Sequence, residues 1–187
     1  VGLTSGGSID VDAGGLFKVT DRTVAGGAGT TLTIDAVGIT LGAGGAGTET
    51  VTNTAGGTAT LTATGAGDIS LANNAVGLNE GLLTLTAAGN AINAAATDAG
   101  AEINADGDVT MSAAVLGGGN RIDLDGDGSA DSTLTVNSNA VAGGQHVDLA
   151  VLDQQFSQTD ITSDRVDSNV DITLDDEGNL VDINGGA

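Results

Sequence analysis

The stretch from Asn120 to Asp131, NRIDLDGDGSAD, holds the chain's most regular set of metal-ligating oxygens. Asp123, Asp125 and Asp127 stand at alternate positions, and Asp131 follows four residues later. Calcium takes about six to eight oxygen ligands, and carboxylates spaced in this way wrap a loop around one ion. Counted as a twelve-position calcium loop, Gly128 falls where the chain must turn sharply, and Asp131 falls at the ninth place, which often ligates through water. Leu134 stands at the twelfth place, so this register offers no bidentate closing acid. The same residues also suit a solvated acidic turn, because Asp and Gly favour turns without any ion. Calcium is the expected cofactor, with Asp123, Asp125, Asp127 and Asp131 as its ligands.

Other chemistry has few residues to work with. The chain has one histidine and no cysteine. His146 has Asp148 two residues on and Ser138 and Ser157 nearby, but a catalytic triad is defined by geometry that sequence does not supply. Paired carboxylates could cleave polysaccharide. Such sites want aromatic platforms for sugar rings, and only Phe17 and Phe156 are aromatic. A phosphate loop needs a Lys that opens a helix, and the one lysine, Lys18, lies in the alternating run Leu16–Thr20. The expectation is a protein that is not an enzyme.

Charge narrows the partners. Against 25 acids stand 4 bases, for a formal charge of −21. Nucleic acid needs clustered Lys and Arg, and an anionic membrane surface would repel this chain. Divalent cations are its natural counterions, since they relieve self-repulsion. No apolar run approaches the ~18 residues of a membrane span. The absence of cysteine does not place the chain in the cytosol. With no initiator Met and no signal peptide, it reads as a processed form or a cut piece.

The elements that must position any site are short and alternating. Thr60-Leu61-Thr62, Asp68-Ile69-Ser70-Leu71 and Leu83-Thr84-Leu85-Thr86 have period two, so each predicts a strand with one buried face. Ile9–Val11, Leu16–Thr20, Thr31–Asp35, Gly38–Leu41 and Glu49–Thr54 repeat the plan between glycine clusters. Later strands, Val147–Leu149, Val170–Leu174 and Leu180–Ile183, alternate with Asp as the polar partner. The segment Ala87–Ala101 is ambiguous between strand and short helix. Leu152–Arg165 reads as helix, loop or cap. Asp175–Asn179 reads as a hairpin turn joining Val170–Leu174 to Leu180–Ile183.

Aligning Leu32, Leu61, Leu85, Val109 and Leu134 gives steps of 29, 24, 24 and 25 residues. A period of this size marks a stacked repeat, in which each coil buries its apolar face only against its neighbours. With Val, Ile, Leu and Ala but only 1% aromatics, the core must be thin. The expected fold is all-β, a β-solenoid, with an antiparallel β-sandwich as the alternative. Residues 1–119 hold 25 of the glycines and 11 acids, while residues 120–187 hold 7 glycines and 14 acids. That shift suggests a glycine-rich repeat region at 1–119 and an acidic β segment at 120–187, with a capping or assembly role.

The phrases GGSIDVDAGG, TLTIDAVGITLGAG and GLLTLTAAGNAINA resemble repeats of large bacterial exoproteins, the filamentous-haemagglutinin and giant-adhesin group. Residues 1–119 carry the likeness. It implies right-handed parallel β-helices that serve as stalks or adhesins at the cell surface. Residues 123–131 are similar to the calcium loops of extracellular repeat proteins of the thrombospondin type 3 and dockerin kind. The uneven period and the acidic C-terminal third depart from the exoprotein pattern and leave room for a shorter self-assembling subunit.

Three functions follow as expectations. The first is an extracellular structural protein, a filament subunit or stalk segment, whose strand edges join copies of itself or neighbouring segments of a longer chain and which calcium stabilises. The second is a segment of an adhesin that binds a host or surface ligand. The third is an ice-binding protein that uses Thr31/Thr33, Thr60/Thr62, Thr84/Thr86 and Thr133/Thr135 as a Thr-x-Thr ladder. The two threonines of a pair share one face of a strand, although Thr is also simply a good β former on a solvent face.

Overall fold

The computed structural model describes residues 3–19, 24–42, 51–53, 56–73, 75–78, 82–95, 102–105, 108–116, 122–125, 133–138, 146–152, 158–163, 169–174 and 180–185. In chain order the strands are β1 (Leu3–Thr4), β2 (Ile9–Val19), β3 (Val24–Gly26), β4 (Thr31–Leu41), β5 (Val51–Asn53) and β6 (Thr58–Ala63). Next come β7 (Ile69–Leu71), β8 (Val76–Leu78), β9 (Leu82–Ala94), β10 (Ile103–Ala105), β11 (Asp108–Leu116) and β12 (Ile122–Asp125). The last are β13 (Thr133–Ser138), β14 (His146–Leu152), β15 (Gln158–Ser163), β16 (Asn169–Leu174) and β17 (Leu180–Gly185). No helix occurs among the described residues.

The strands stack in three parallel columns. One column starts in the N-terminal part of β2 and passes through β4, β6, β9, β11, β13, β15 and β17. A second uses the C-terminal parts of β2 and β4, then β7, the C-terminal parts of β9 and β11, and the start of β14. The third runs β1, β3, β5, β8, β10, β12, β14, β16. Parallel neighbours need a long crossover, and here the crossover from one rung to the next is the other two sides of the coil. The chain is therefore a parallel β-solenoid, and its parallel pairing excludes the antiparallel sandwich.

Residue type explains the columns. Inward positions stack like on like. Leu32, Ala59, Leu83 and Val109 form one buried tier, and Ile34, Leu61, Leu85 and Met111 form the next. Ala36, Ala63, Ala87 and Ala113 mark the position where the coil bends from the first column toward the second, and all are buried. On the second side Ile39, Ile69 and Ile92 stack, and on the third Val24, Val51, Val76 and Ile103 do so. Each fully buried aliphatic of this kind is worth about 1.5–3 kcal/mol. No aromatic is needed, because backbones face one another across a thin core.

The tiers correct the alignment drawn from sequence. Leu32 lies beside Ala59, not Leu61, and continues to Leu83, Val109 and Leu134 in steps of 27, 24, 26 and 25 residues. Leu61 and Leu85 belong to the tier two residues along. Ala59 and Leu61 both face inward, so alternation alone admits either as the partner of Leu32. Three local readings are also settled. Ala87–Ala94 is strand, inside β9. The stretch 158–163, within Leu152–Arg165, is β15. The expected hairpin after Leu174 does not form, because β16 joins β14 and β17 joins β15, both in parallel. The pairing also passes without interruption from β10 and β11 to β12 and β13.

The corners show why glycine recurs. Gly29 adopts φ 64° and Gly56 φ 75°, the left-handed region that side chains avoid. At the corner between β6 and β7, Gly67 donates its N–H to the Val37 carbonyl at 3.1 Å, and Ile39 donates to the Asp68 carbonyl at 2.9 Å. Side chains stitch further corners. Asn90 donates through Nδ2 to the Gly65 carbonyl at 2.6 Å, and the Ala91 N–H donates to Asp68 Oδ1 at 3.0 Å.

Candidate functional site

The most regular surface of the molecule lies on the first column. In β4, β6, β9 and β11 a buried aliphatic alternates with a half-exposed polar residue, as in Thr58–Ala63 throughout. The parallel register places Thr33 beside Thr60, Thr60 beside Thr84 and Thr84 beside Thr110. Two residues along, Asp35 lies beside Thr62, which is followed by Thr86 and Ser112. Backbone register extends the first row to Thr135 and Asp160 and the second to Asn137 and Thr162. At the other end the rows meet Asp10 and Asp12.

The pairs named from sequence are thus partly rearranged. Thr60/Thr62 and Thr84/Thr86 lie side by side as expected. Thr33 joins their first row, but Thr31 sits one position outside, in register with Thr58. Thr135 follows Thr110 in the row, whereas Thr133 pairs with Gln158. Thr110 and Ser112 were missed as members. Their signal is the run Val109-Thr110-Met111-Ser112, which carries the same inward–outward alternation.

Corner threonines use their hydroxyls within the protein. Thr30 Oγ1 donates to the Gly27 carbonyl at 2.6 Å, and Thr64 Oγ1 donates to the Ala36 carbonyl at 3.0 Å. Among the described residues no such bond engages the hydroxyls of Thr33, Thr60, Thr62, Thr84, Thr86, Thr110 or Ser112. They are left to solvent or to a partner.

The four expected calcium ligands are placed only in part. Asp123 and Asp125 lie in β12, with Asp123 in register with Ala150, and Asp125 with Leu152 on one side and Asn104 on the other. Asp127 and Asp131 lie outside the described residues. Among the described residues no three His, Cys, Asp or Glu converge to hold a metal. Acidic positions do fall in backbone register across strands: Asp12 with Asp35, Asp148 with Asp171, and Asp160 with Asp182. Neighbouring strands are about 4.8 Å apart, so each pairing sets two acidic positions at close range. His146 occupies the first position of β14, in register with Asn169.

Fold and surface together define a parallel β-solenoid with one hydroxyl-bearing side. Compared with family models, curated proteins and solved structures, the chain matches none.

Proposed function

We propose that the chain is a non-enzymatic structural segment of the cell surface, a stalk or filament unit whose rungs continue into a neighbouring coil. One observation carries the reading: the rung formed by β1 and β2 is unfinished. Ile9, Val11, Ala13 and Phe17 are only half-buried, whereas their register neighbours Leu32, Ile34, Ala36 and Ile39 are fully buried. Leu3 is 39% exposed and Leu16 is 63% exposed beside them. Solenoids normally shield such an end with a polar cap, and an uncovered strand edge is a template for another strand. The occupant is one more parallel coil, either a neighbouring segment of a longer chain or a second copy. Head-to-tail contacts that do not close into a ring give fibres.

The test is a substitution in the open tier. Val11→Lys places a charge among the half-buried residues and leaves the fully buried tiers intact. It also reduces a net charge of −21, so electrostatics alone would favour association. Sedimentation across a concentration series is expected to show the parent chain growing into larger species and the variant remaining small, with the same circular dichroism. Equal growth by both chains would remove the open rung as the assembling surface.

Calcium enters this reading as a stabiliser. Asp123 and Asp125 begin the D-x-D-x-D-G stretch, and the in-register pairs Asp12–Asp35, Asp148–Asp171 and Asp160–Asp182 set like charges on adjacent strands. Like-charged neighbours destabilise a sheet, and a divalent cation offsets that repulsion. The Asp125→Ala variant is expected to melt at a lower temperature than the parent in calcium and to lose most of the difference that a chelator makes. Equal melting of the two chains in calcium would defeat the assignment of this loop.

A further inference from the structure

We infer that the outward side of β4, β6, β9 and β11 is a binding surface for crystalline water, a function separate from assembly at the open rung. The geometry is a two-dimensional grid. One row holds Thr33, Thr60, Thr84 and Thr110, and the other holds Thr62, Thr86 and Ser112. Rungs repeat at about 4.8 Å, and positions i and i+2 along a strand lie about 6.6 Å apart. Oxygens on a face of crystalline ice likewise lie in rows with a fixed two-dimensional repeat. A soluble ligand has no need of such translational order in its receptor, but a crystal face does.

The grid is fixed in both directions. Beneath it Leu32, Ile34, Leu61, Leu83, Leu85, Val109 and Met111 are fully buried, so the strands have little freedom to shift. Thr is β-branched and stiff about χ1, which holds each hydroxyl and methyl in place before binding. Little side-chain entropy is then lost on contact. The hydroxyls have no protein partner among the described residues. None of the seven positions is charged in a chain of formal charge −21. Acids flank the grid: Asp10, Asp12 and Asp35 at one end, Asp108 two residues before Thr110, and Asp160 beyond Thr135 in the backbone register.

Crystalline polysaccharide is the other periodic partner. Sugar rings are gripped by stacking on aromatic faces, and the grid carries no aromatic residue. Ice needs only hydroxyls and methyls at lattice positions, which is what Thr supplies.

The experiment measures thermal hysteresis and ice-crystal shape with the full chain and two variants, each shown to be folded by its melting curve. Thr84→Lys puts a long charged side chain at the centre of the grid. Ser70→Lys makes the same change on the second column, outside the grid. The parent and Ser70→Lys are expected to shape growing crystals and hold a freezing gap, and Thr84→Lys is expected to lose most of it. A folded parent that leaves ice growth unaltered would overturn the inference, as would a Thr84→Lys chain as active as the parent. Retention on crystalline cellulose without any effect on ice would overturn it as well. The grid is complete within one copy, so these outcomes stand apart from whether copies assemble.

Discussion

Replacing Leu61 with Ala is expected to cost about 2–5 kcal/mol of stability, the range for emptying a buried leucine site. Leu61 is fully buried and sits between Ile34 and Leu85 in one tier of the core. Few neighbours can move into the space. Ile34 is β-branched and holds a narrow range of rotamers, and the adjacent tier already has Ala59 on the same strand. A repeat stack is stabilised mainly by contacts between neighbouring coils, so a cavity here weakens the interfaces on both sides of β6. The loss should therefore reach beyond the altered rung and lower the whole melting transition. Denaturant unfolding checks this against Thr62→Ala, its outward neighbour, which should stay within about 0.5 kcal/mol of the parent, as surface changes do. Equal losses from the two substitutions would mean that residues 61 and 62 do not alternate between core and surface.

The second large effect is expected at Gly67. A Cβ there would lie 2.7 Å from Gly38 Cα and 2.8 Å from the Val37 carbonyl oxygen. Both contacts are backbone, so no flexible side chain can give way. Gly67→Val must push the rungs apart at this corner and break the Gly67 N–H bond to Val37, with the Ile39 N–H bond to Asp68 beside it. Overpacking costs about 1–3 kcal/mol, and each net hydrogen bond lost adds about 0.5–1.5 kcal/mol. A loss of about 2–6 kcal/mol follows. Gly14→Val is the control, because a Cβ on Gly14 meets nothing within 4 Å, and Val suits a strand better than Gly does. Thermal melting should separate the two by a wide margin, and coincident curves would contradict the corner geometry.

These two sites show what the sequence made legible and what it did not. Leu61 was readable as core because Thr60-Leu61-Thr62 alternates with period two. Its exact neighbours were not, because coils of unequal length hide the register. Leu32 pairs with Ala59, and nothing in the residue types distinguishes that from pairing with Leu61 two positions on. Both choices keep an apolar residue inward, so the error preserved the face and lost the tier. Glycine clusters announced corners, but the stacking of Gly38 on Gly67 depends on which rungs are neighbours. The parallel pairing of β16 with β14 and of β17 with β15, where a hairpin was expected, has the same origin. Asp and Gly permit a turn, but they do not say whether the next strand returns beside its predecessor or joins the coil before it.

The hydroxyl surface was half visible. Thr-x-Thr recurs plainly at residues 60–62 and 84–86, and Ser112 hid because it is not threonine. Thr31 and Thr133 looked like members until the register moved them one position outside. The acidic pairs were invisible for a related reason. Asp12 and Asp35 are far apart in sequence, and only the stacking of β2 on β4 sets them side by side. Of the calcium stretch, the strand start at Asp123 and Asp125 is described, and it fits the alternation of Ile122 and Leu124, both buried.

Electron microscopy of the purified chain, in calcium and again in chelator, tests the proposed role most directly. Rungs that propagate across the open face of β1 and β2, with a cation offsetting a charge of −21, should give filaments in calcium that disperse in chelator. Dispersed particles at every concentration in both conditions would contradict assembly through the unfinished rung.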